Sequence, residues 1–197
     1  MKILCTGLNY LSHIRETGRE PPAEPLLFGK FENTLIGPGG AIILPPEATH
    51  VDSEAELAVE IGRTGRRIAE ADALDFVAGY RCANDVSARN LQYGDKQWTR
   101  GKGFDTFCPL GPCIETALAP NDLALTTRVN GAVKQNGRTS MMAFDCAFLI
   151  AFISSVMTLL PGDVILTGTP AGVGPLAAGD VVELEIEGIG ALRNVVA

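Results

Sequence analysis

Apolar and polar residues alternate along this chain in short runs, and glycine and proline separate the runs. In His50–Gly62, HVDSEAELAVEIG, the residues Leu57, Val59 and Ile61 share one parity. That is the spacing of a strand burying one face. The opposite parity carries Glu54, Glu56, Ala58 and Glu60. Near the end of the chain, VELEIEG repeats the pattern with Glu183, Glu185 and Glu187. A solvated strand face is the ordinary explanation for such carboxylates, so alternation alone marks no site. Further strands are expected over residues 2–8 and in GYRCAND, LGPCIET, LALTTRVNGAVKQ, GDVILTGTPAGVG and GDVVELEIEGIGALRNVV. The stretch LLFGKFENTLIGPGGAIILPPEA reads as a β-meander.

Helical spacing is rarer. Tyr10–Thr17 predicts a brief helix with Asn9 as its cap. Ile68, Ala71, Leu74 and Val77 predict a second, and SARNLQYG a short third with Ser87 near its start. Cys146–Leu160 predicts a buried helix, too short for a membrane span and closed by Pro161 and Gly162. The 22 glycines and 12 prolines punctuate many short strands, and no βαβα rhythm appears. A mainly β fold with few helices is therefore expected, not a doubly wound parallel sheet. The 197 residues suit a single domain spanning 1–197, with no linker, repeat or low-complexity stretch.

Composition is that of a globular protein, 46% hydrophobic and 20% charged. The net charge of −7 argues against nucleic acid or an anionic membrane as partner. A small anionic substrate stays open, because a local metal ion or lysine outweighs the global field. No apolar stretch of signal-peptide length follows Met1. The five cysteines are odd in number and form no C-x-x-C pair, so reduced thiols in the cytoplasm are expected.

Four places could carry chemistry. In CANDVSARNLQ, Asp85 falls at a strand-to-helix turn, where it is either a turn or capping residue or a ligand reaching outward. Glu54, Glu56 and Asp85 together would offer three hard oxygen donors, suited to Mg²⁺ or Mn²⁺. Arg89 and Gln92 are three apart, on one face of the short helix. His13 and Glu16 have the same spacing, so they form either a plain surface pair or an oriented general base. The other histidine, His50, stands beside Asp52 in a loop and is given no role. Lys102 lies between Gly101 and Gly103 and is either an exposed loop lysine or a ligand for a carboxylate or enolate oxygen. LTGTPAGVG offers Thr169 and a run of backbone amides able to hold an anion. It lacks the ending of a P-loop, and no G-x-S-x-G elbow occurs.

These pieces occur in a telling order: GLNYLSHIRETG, LLFGKFENTLIGPGG, DSEAELAVEIGR, AGYRCANDVSARNLQ, WTRGKGFDTFCPLGP, then LLPGDVILTGTPAGVGPLAAGDVVELEIEGIG. In that order the chain resembles the fumarylacetoacetate hydrolase family from about Gly7 to Asn194, with NDVSAR and TGTPAGVG the most specific stretches. The resemblance implies a mixed β-sandwich roll, a homodimer and one divalent cation per chain. It implies Glu54, Glu56 and Asp85 as metal ligands, and His13 and Glu16 as a catalytic pair on a mobile lid. It also implies Arg89, Gln92, Lys102 and Thr169 around the substrate, with Lys102 stabilising developing charge. Glu60 and Asn90 depart from the usual pattern without touching this set. The short start favours the compact acylpyruvate-cleaving branch. The expected reaction is C–C hydrolysis of a 2,4-dioxo acid such as fumarylpyruvate. Isomerisation, tautomerisation or decarboxylation of related oxo-dioic acids such as oxaloacetate is the alternative, and a non-catalytic binding relative the remotest one.

Overall fold

In the computed structural model, which describes residues 1–197, the strand Ala55–Ile61 is buried on both faces. Leu57, Val59 and Ile61 enter a core of 29 buried residues with Leu125, Leu184 and Leu192 from a second sheet. Ala58 enters a separate cluster of eight, among Ile3, Cys5, Ala83 and Leu166. The strand therefore has no wet face, and the carboxylates on its second parity must be satisfied inside the protein.

The first sheet has seven strands. Their order is Leu26–Lys30, Ile3–Gly7, Val164–Leu166, Ala55–Ile61, Val77–Asn84, Cys108–Glu115 and Leu35–Ile36. The second has five: Ala132–Arg138, Ala124–Val129, Val181–Ile186, Gly190–Val196 and Ala41–Ile42. A third, of three short strands, joins Gly174–Pro175, Val51–Ser53 and Ser87–Ala88. Most neighbours are antiparallel, but Ile3–Gly7 runs parallel to Val164–Leu166. This is the mainly β, mixed-sheet architecture expected from the sequence.

Some local expectations are corrected. The meander does not form: Leu26–Lys30 and Leu35–Ile36 lie at opposite edges of the seven-stranded sheet, and Ala41–Ile42 at an edge of the five-stranded one. Short strands pair wherever the core needs cover, and nothing local specifies the neighbour. Residues 68–79 yield no α-helix but a 3₁₀ segment, Glu70–Phe76, followed directly by the strand Val77–Asn84. The four α-helices are α1 (Leu11–Glu16), α2 (Arg89–Gln92), α3 (Thr99–Lys102) and α4 (Cys146–Val156). Helix α4 is capped by Asp145, which accepts from the Phe148 N–H. It ends at Val156, four residues earlier than expected, where Met157 turns extended. Ser87 belongs to a strand rather than to α2.

Asn9 does not cap α1. Its side chain donates to the carbonyls of Phe144 (2.9 Å) and Thr167 (2.8 Å) and accepts from Phe144 N–H (2.9 Å). With Tyr10 and Ile14 fully buried, this ties the root of α1 firmly to the body. From Arg15 to Pro21 the chain runs exposed.

Candidate active site

A cavity of about 750 Å³ is lined by residues from every segment of the proposed set. His13, Glu16, Glu54, Glu56, Asp85, Arg89, Gln92, Lys102 and Thr169 all border it. They come from α1, the break between two strands, the strand Ala55–Ile61, the turn after Asn84, helices α2 and α3, and the loop after Leu166.

The three carboxylates form its floor. Glu54 occupies a one-residue break between the strands Val51–Ser53 and Ala55–Ile61. Asn84 fills that break by accepting from Ser53 Oγ (3.2 Å) and the Glu54 N–H (3.0 Å). The Asp85 N–H then donates to the Glu54 carbonyl at 2.9 Å, which fixes the two acids against each other. One oxygen from each of Glu54, Glu56 and Asp85 lies within 4.8 Å of the others, and all three residues are buried. Glu185, the comparison case, is exposed and meets Arg128 at 3.0 Å. Identical alternation thus serves two different ends, decided by what packs on the second face.

The floor is held by buried cations. Lys102 is not a loop residue but the last residue of α3, and its Nζ contacts Glu54 (2.7 Å) and Asp85 (2.6 Å). Lys30 reaches Asp85 at 2.6 Å and the Val86 carbonyl at 3.1 Å. Arg89 donates to Asp52, Glu54 and Gln92, so it positions those groups as well as lining the cavity. Burial alone would raise the Glu54 carboxyl, but Lys102 and Arg89 outweigh it and hold Glu54 well below the usual range. Glu56 goes the other way. Burial and the charges of Asp85 and Glu54 push it well above the usual range. Its one hydrogen bond is from the Gly168 N–H, at 2.6 Å. Glu56 is thus a buried acid with no ion-pair partner, set beside two paired carboxylates. Three hard oxygen donors so grouped, one of them without a counter-charge, fit a small divalent ion, and these residues would hold it.

The expected anion-holding amides are real, and what they hold is protein. Gly168 N–H binds Glu56, and Gly172 N–H binds Glu16 at 3.0 Å. Both glycines have positive φ, +93° and +94°, and a Cβ at residue 172 would meet the Lys134 carbonyl at 2.1 Å. The same loop donates from Ala171 N–H to Ser12 Oγ at 3.2 Å. Glu16 in turn meets His13 Nδ1 at 3.0 Å. The His13–Glu16 pair is therefore latched across the cavity by the loop that also orients Glu56.

Three donors remain for a ligand. The Gln92 oxygen accepts from Arg89, which leaves its NH₂ group for the cavity. Thr169 Oγ1 accepts from Gln135 at 2.7 Å, which leaves its O–H free. Lys102 has spent two of its three N–H donors. Lys30, Asp52, Asn84 and Gln135 were missed by the sequence reading. Asp52 shares the parity of Glu54 and Glu56, so its signal was available. Lys30 closes an apolar strand 55 residues from its partner and carries no local signal.

This frame of curled β-sheets around a buried acidic trio defines a class, and the chain belongs to the fumarylacetoacetate hydrolase family. The family model described as "Fumarylacetoacetate (FAA) hydrolase C-terminal" matches residues 2–197. The mitochondrial oxaloacetate tautomerase FAHD2A of Homo sapiens is 46% identical over 205 residues, covering 98% of this chain and 65% of that protein. The crystal structure of 2-hydroxyhepta-2,4-diene-1,7-dioate isomerase from Mycobacterium marinum is 52% identical, with TM-score 0.93. It is covered over 100% of this chain and 74% of that one. Fumarylpyruvate hydrolase from Pseudomonas aeruginosa, in complex with Mn²⁺ and pyruvate, is 30% identical with TM-score 0.96. There the match covers 100% of this chain and 89% of that one. Members of the family are enzymes, and hydrolases, isomerases and tautomerases occur among these relatives.

Proposed function

We propose that this chain is a divalent-metal-dependent enzyme acting on a small 2-oxo acid. Its reaction is proton transfer at the carbon beside the 2-oxo group, as a tautomerase or double-bond isomerase of oxo-dioic acids. The observation that carries the reading is the oriented His13–Glu16 pair lining the same cavity as the buried trio Glu54, Glu56 and Asp85. The relatives named for isomerisation and tautomerisation stand at 52% and 46% identity, against 43% and 30% for two named hydrolases, and this order supports proton transfer as the leading reaction.

Glu54, Glu56 and Asp85 would hold Mg²⁺ or Mn²⁺. The cation, when bound, would supply Lewis acidity that favours the enolate of a 2-oxo acid. His13 takes or returns the proton at the neighbouring carbon, with Glu16 holding the ring and supporting its basicity. Gln92 NH₂, the Thr169 hydroxyl and the third Lys102 N–H supply donors to substrate oxygens. Hydrolysis of an acylpyruvate is the second reading, favoured by the hydrolase likeness at TM-score 0.96, and it uses the same pair to activate water.

Chelator treatment is expected to abolish turnover, and Mg²⁺ or Mn²⁺ to restore it. A turnover panel of oxaloacetate enol, hydroxymuconate-type dienes and acylpyruvates ranks the reactions. Full activity in a rigorously metal-free sample overturns metal dependence, and turnover of acylpyruvates alone moves the assignment to hydrolysis.

We further propose that residues 1–197 form a single domain, that two copies associate as a homodimer, and that the protein works in the cytoplasm. All five thiols are free and four are buried, which supports a reducing compartment. No helix is long and apolar enough to cross a membrane. Supporting the homodimer is an apolar stripe. Phe144, Phe148 and Phe152 stack at 5.1 and 6.3 Å between ring centroids, and Val156 beyond them is exposed. Sedimentation at micromolar concentration should give twice the chain mass, and Phe148→Asp should give one chain mass. A monomeric wild type refutes the dimer.

A further inference from the structure

The charges around the cavity pair off almost completely. Arg89 serves Asp52 and Glu54, Lys102 serves Glu54 and Asp85, and Lys30 serves Asp85. Asp95 takes Arg100, and Glu16 takes His13. Two groups are left over. On the floor is Glu56, 2% exposed and facing no cation of its own. At the mouth is Arg19, which is exposed, lines the same cavity and has no acidic partner. The Arg19 N–H donates to the Ile14 carbonyl at 3.2 Å, which places the residue just past α1, beside the His13–Glu16 pair.

A ligand that satisfies both leftovers is positive at its inner end and negative at its outer end. A divalent cation carrying a 2-oxo dicarboxylate has that polarity. Resting on the oxo-acid reading above, we propose that Arg19 binds the distal carboxylate of the substrate. It thereby selects 2-oxo dicarboxylates over oxo acids with neutral tails. Arg19 is the one cavity-lining cation whose charge the protein has not already used. Its guanidinium matches a carboxylate with two parallel N–H donors. Arg15, also exposed on the same segment, does not line the cavity and serves as the control.

Trp98 is the sole tryptophan and lines the cavity, so its fluorescence reads binding without turnover. The Mg²⁺-loaded protein is titrated with oxaloacetate and with 2-oxosuccinamate, whose distal group is a neutral amide. Wild type is expected to bind oxaloacetate about tenfold more tightly, the scale of one charge-assisted hydrogen-bonded pair near solvent. Arg19→Gln should erase that preference while leaving 2-oxosuccinamate affinity unchanged, and Arg15→Gln should keep it. Equal binding of the two ligands by wild type, or an Arg19→Gln protein that retains the preference, overturns this proposal alone. Binding of neither ligand overturns the oxo-acid reading together with it.

Discussion

Glu56→Ala is expected to weaken Mg²⁺ or Mn²⁺ binding by at least about 10²-fold, more than loss of a group that merely orients a ligand. Glu185→Ala should leave metal binding at the wild-type value. The two residues make a controlled pair, because each is a glutamate in a strand of alternating carboxylates. Glu56 is buried, aimed by the Gly168 N–H and grouped with Glu54 and Asp85, whereas Glu185 is exposed and faces Arg128. A second readout follows from the charge balance. Without a cation, Glu56 is a buried acid crowded by two carboxylates, so its removal relieves that repulsion while leaving the Gly168 N–H without its acceptor, and the metal-free proteins should unfold at similar temperatures. Mg²⁺ should raise the melting temperature of wild type through preferential binding to the native state, and should fail to do so in Glu56→Ala. Calorimetric metal titration and thermal unfolding check both. Equal losses in Glu56→Ala and Glu185→Ala would mean that the metal centre lies elsewhere.

His13→Ala should lower kcat by about 10²- to 10⁴-fold, the range for losing a general acid or base, with metal affinity unchanged. His13 is not among the acidic trio, and its ring contacts Glu16 rather than any of those carboxylates. Glu16→Gln should do less harm, since the imidazole stays in place. It will still cost something twice over, because Glu16 orients His13 and also accepts from Gly172 N–H. The decisive measurement is metal titration of the variant followed by turnover on the best substrate of the panel. Loss of metal binding, or turnover at the wild-type rate, would remove His13 from the chemistry.

The sequence by itself determined the fold class, the family and the members of the proposed site. Periodicity of two and frequent glycine and proline breaks are local signals, so mainly β structure was readable from them. The motif order in GLNYLSHIRETG, NDVSAR and TGTPAGVG carried the family, and with it the nine proposed residues, each of which borders the cavity.

Tertiary structure decided what those residues touch. Alternation could not separate Glu56 from Glu185, because burial of a strand's second face depends on which segments pack there. Here Ile3, Cys5, Ala83 and Leu166 do so, from distant parts of the chain. Strand neighbours in the expected meander, the anchoring role of Asn9 and the pairing of Lys30 with Asp85 were likewise set by contacts across 55 to 158 residues. Short strands have no intrinsic preference for a partner, and a buried charge shows its partner only once the chain has brought the two together. Hence the chemistry was legible in the composition of the motifs, whereas the allocation of each charge, down to the unpaired Arg19 at the rim and Glu56 on the floor, was fixed by the fold.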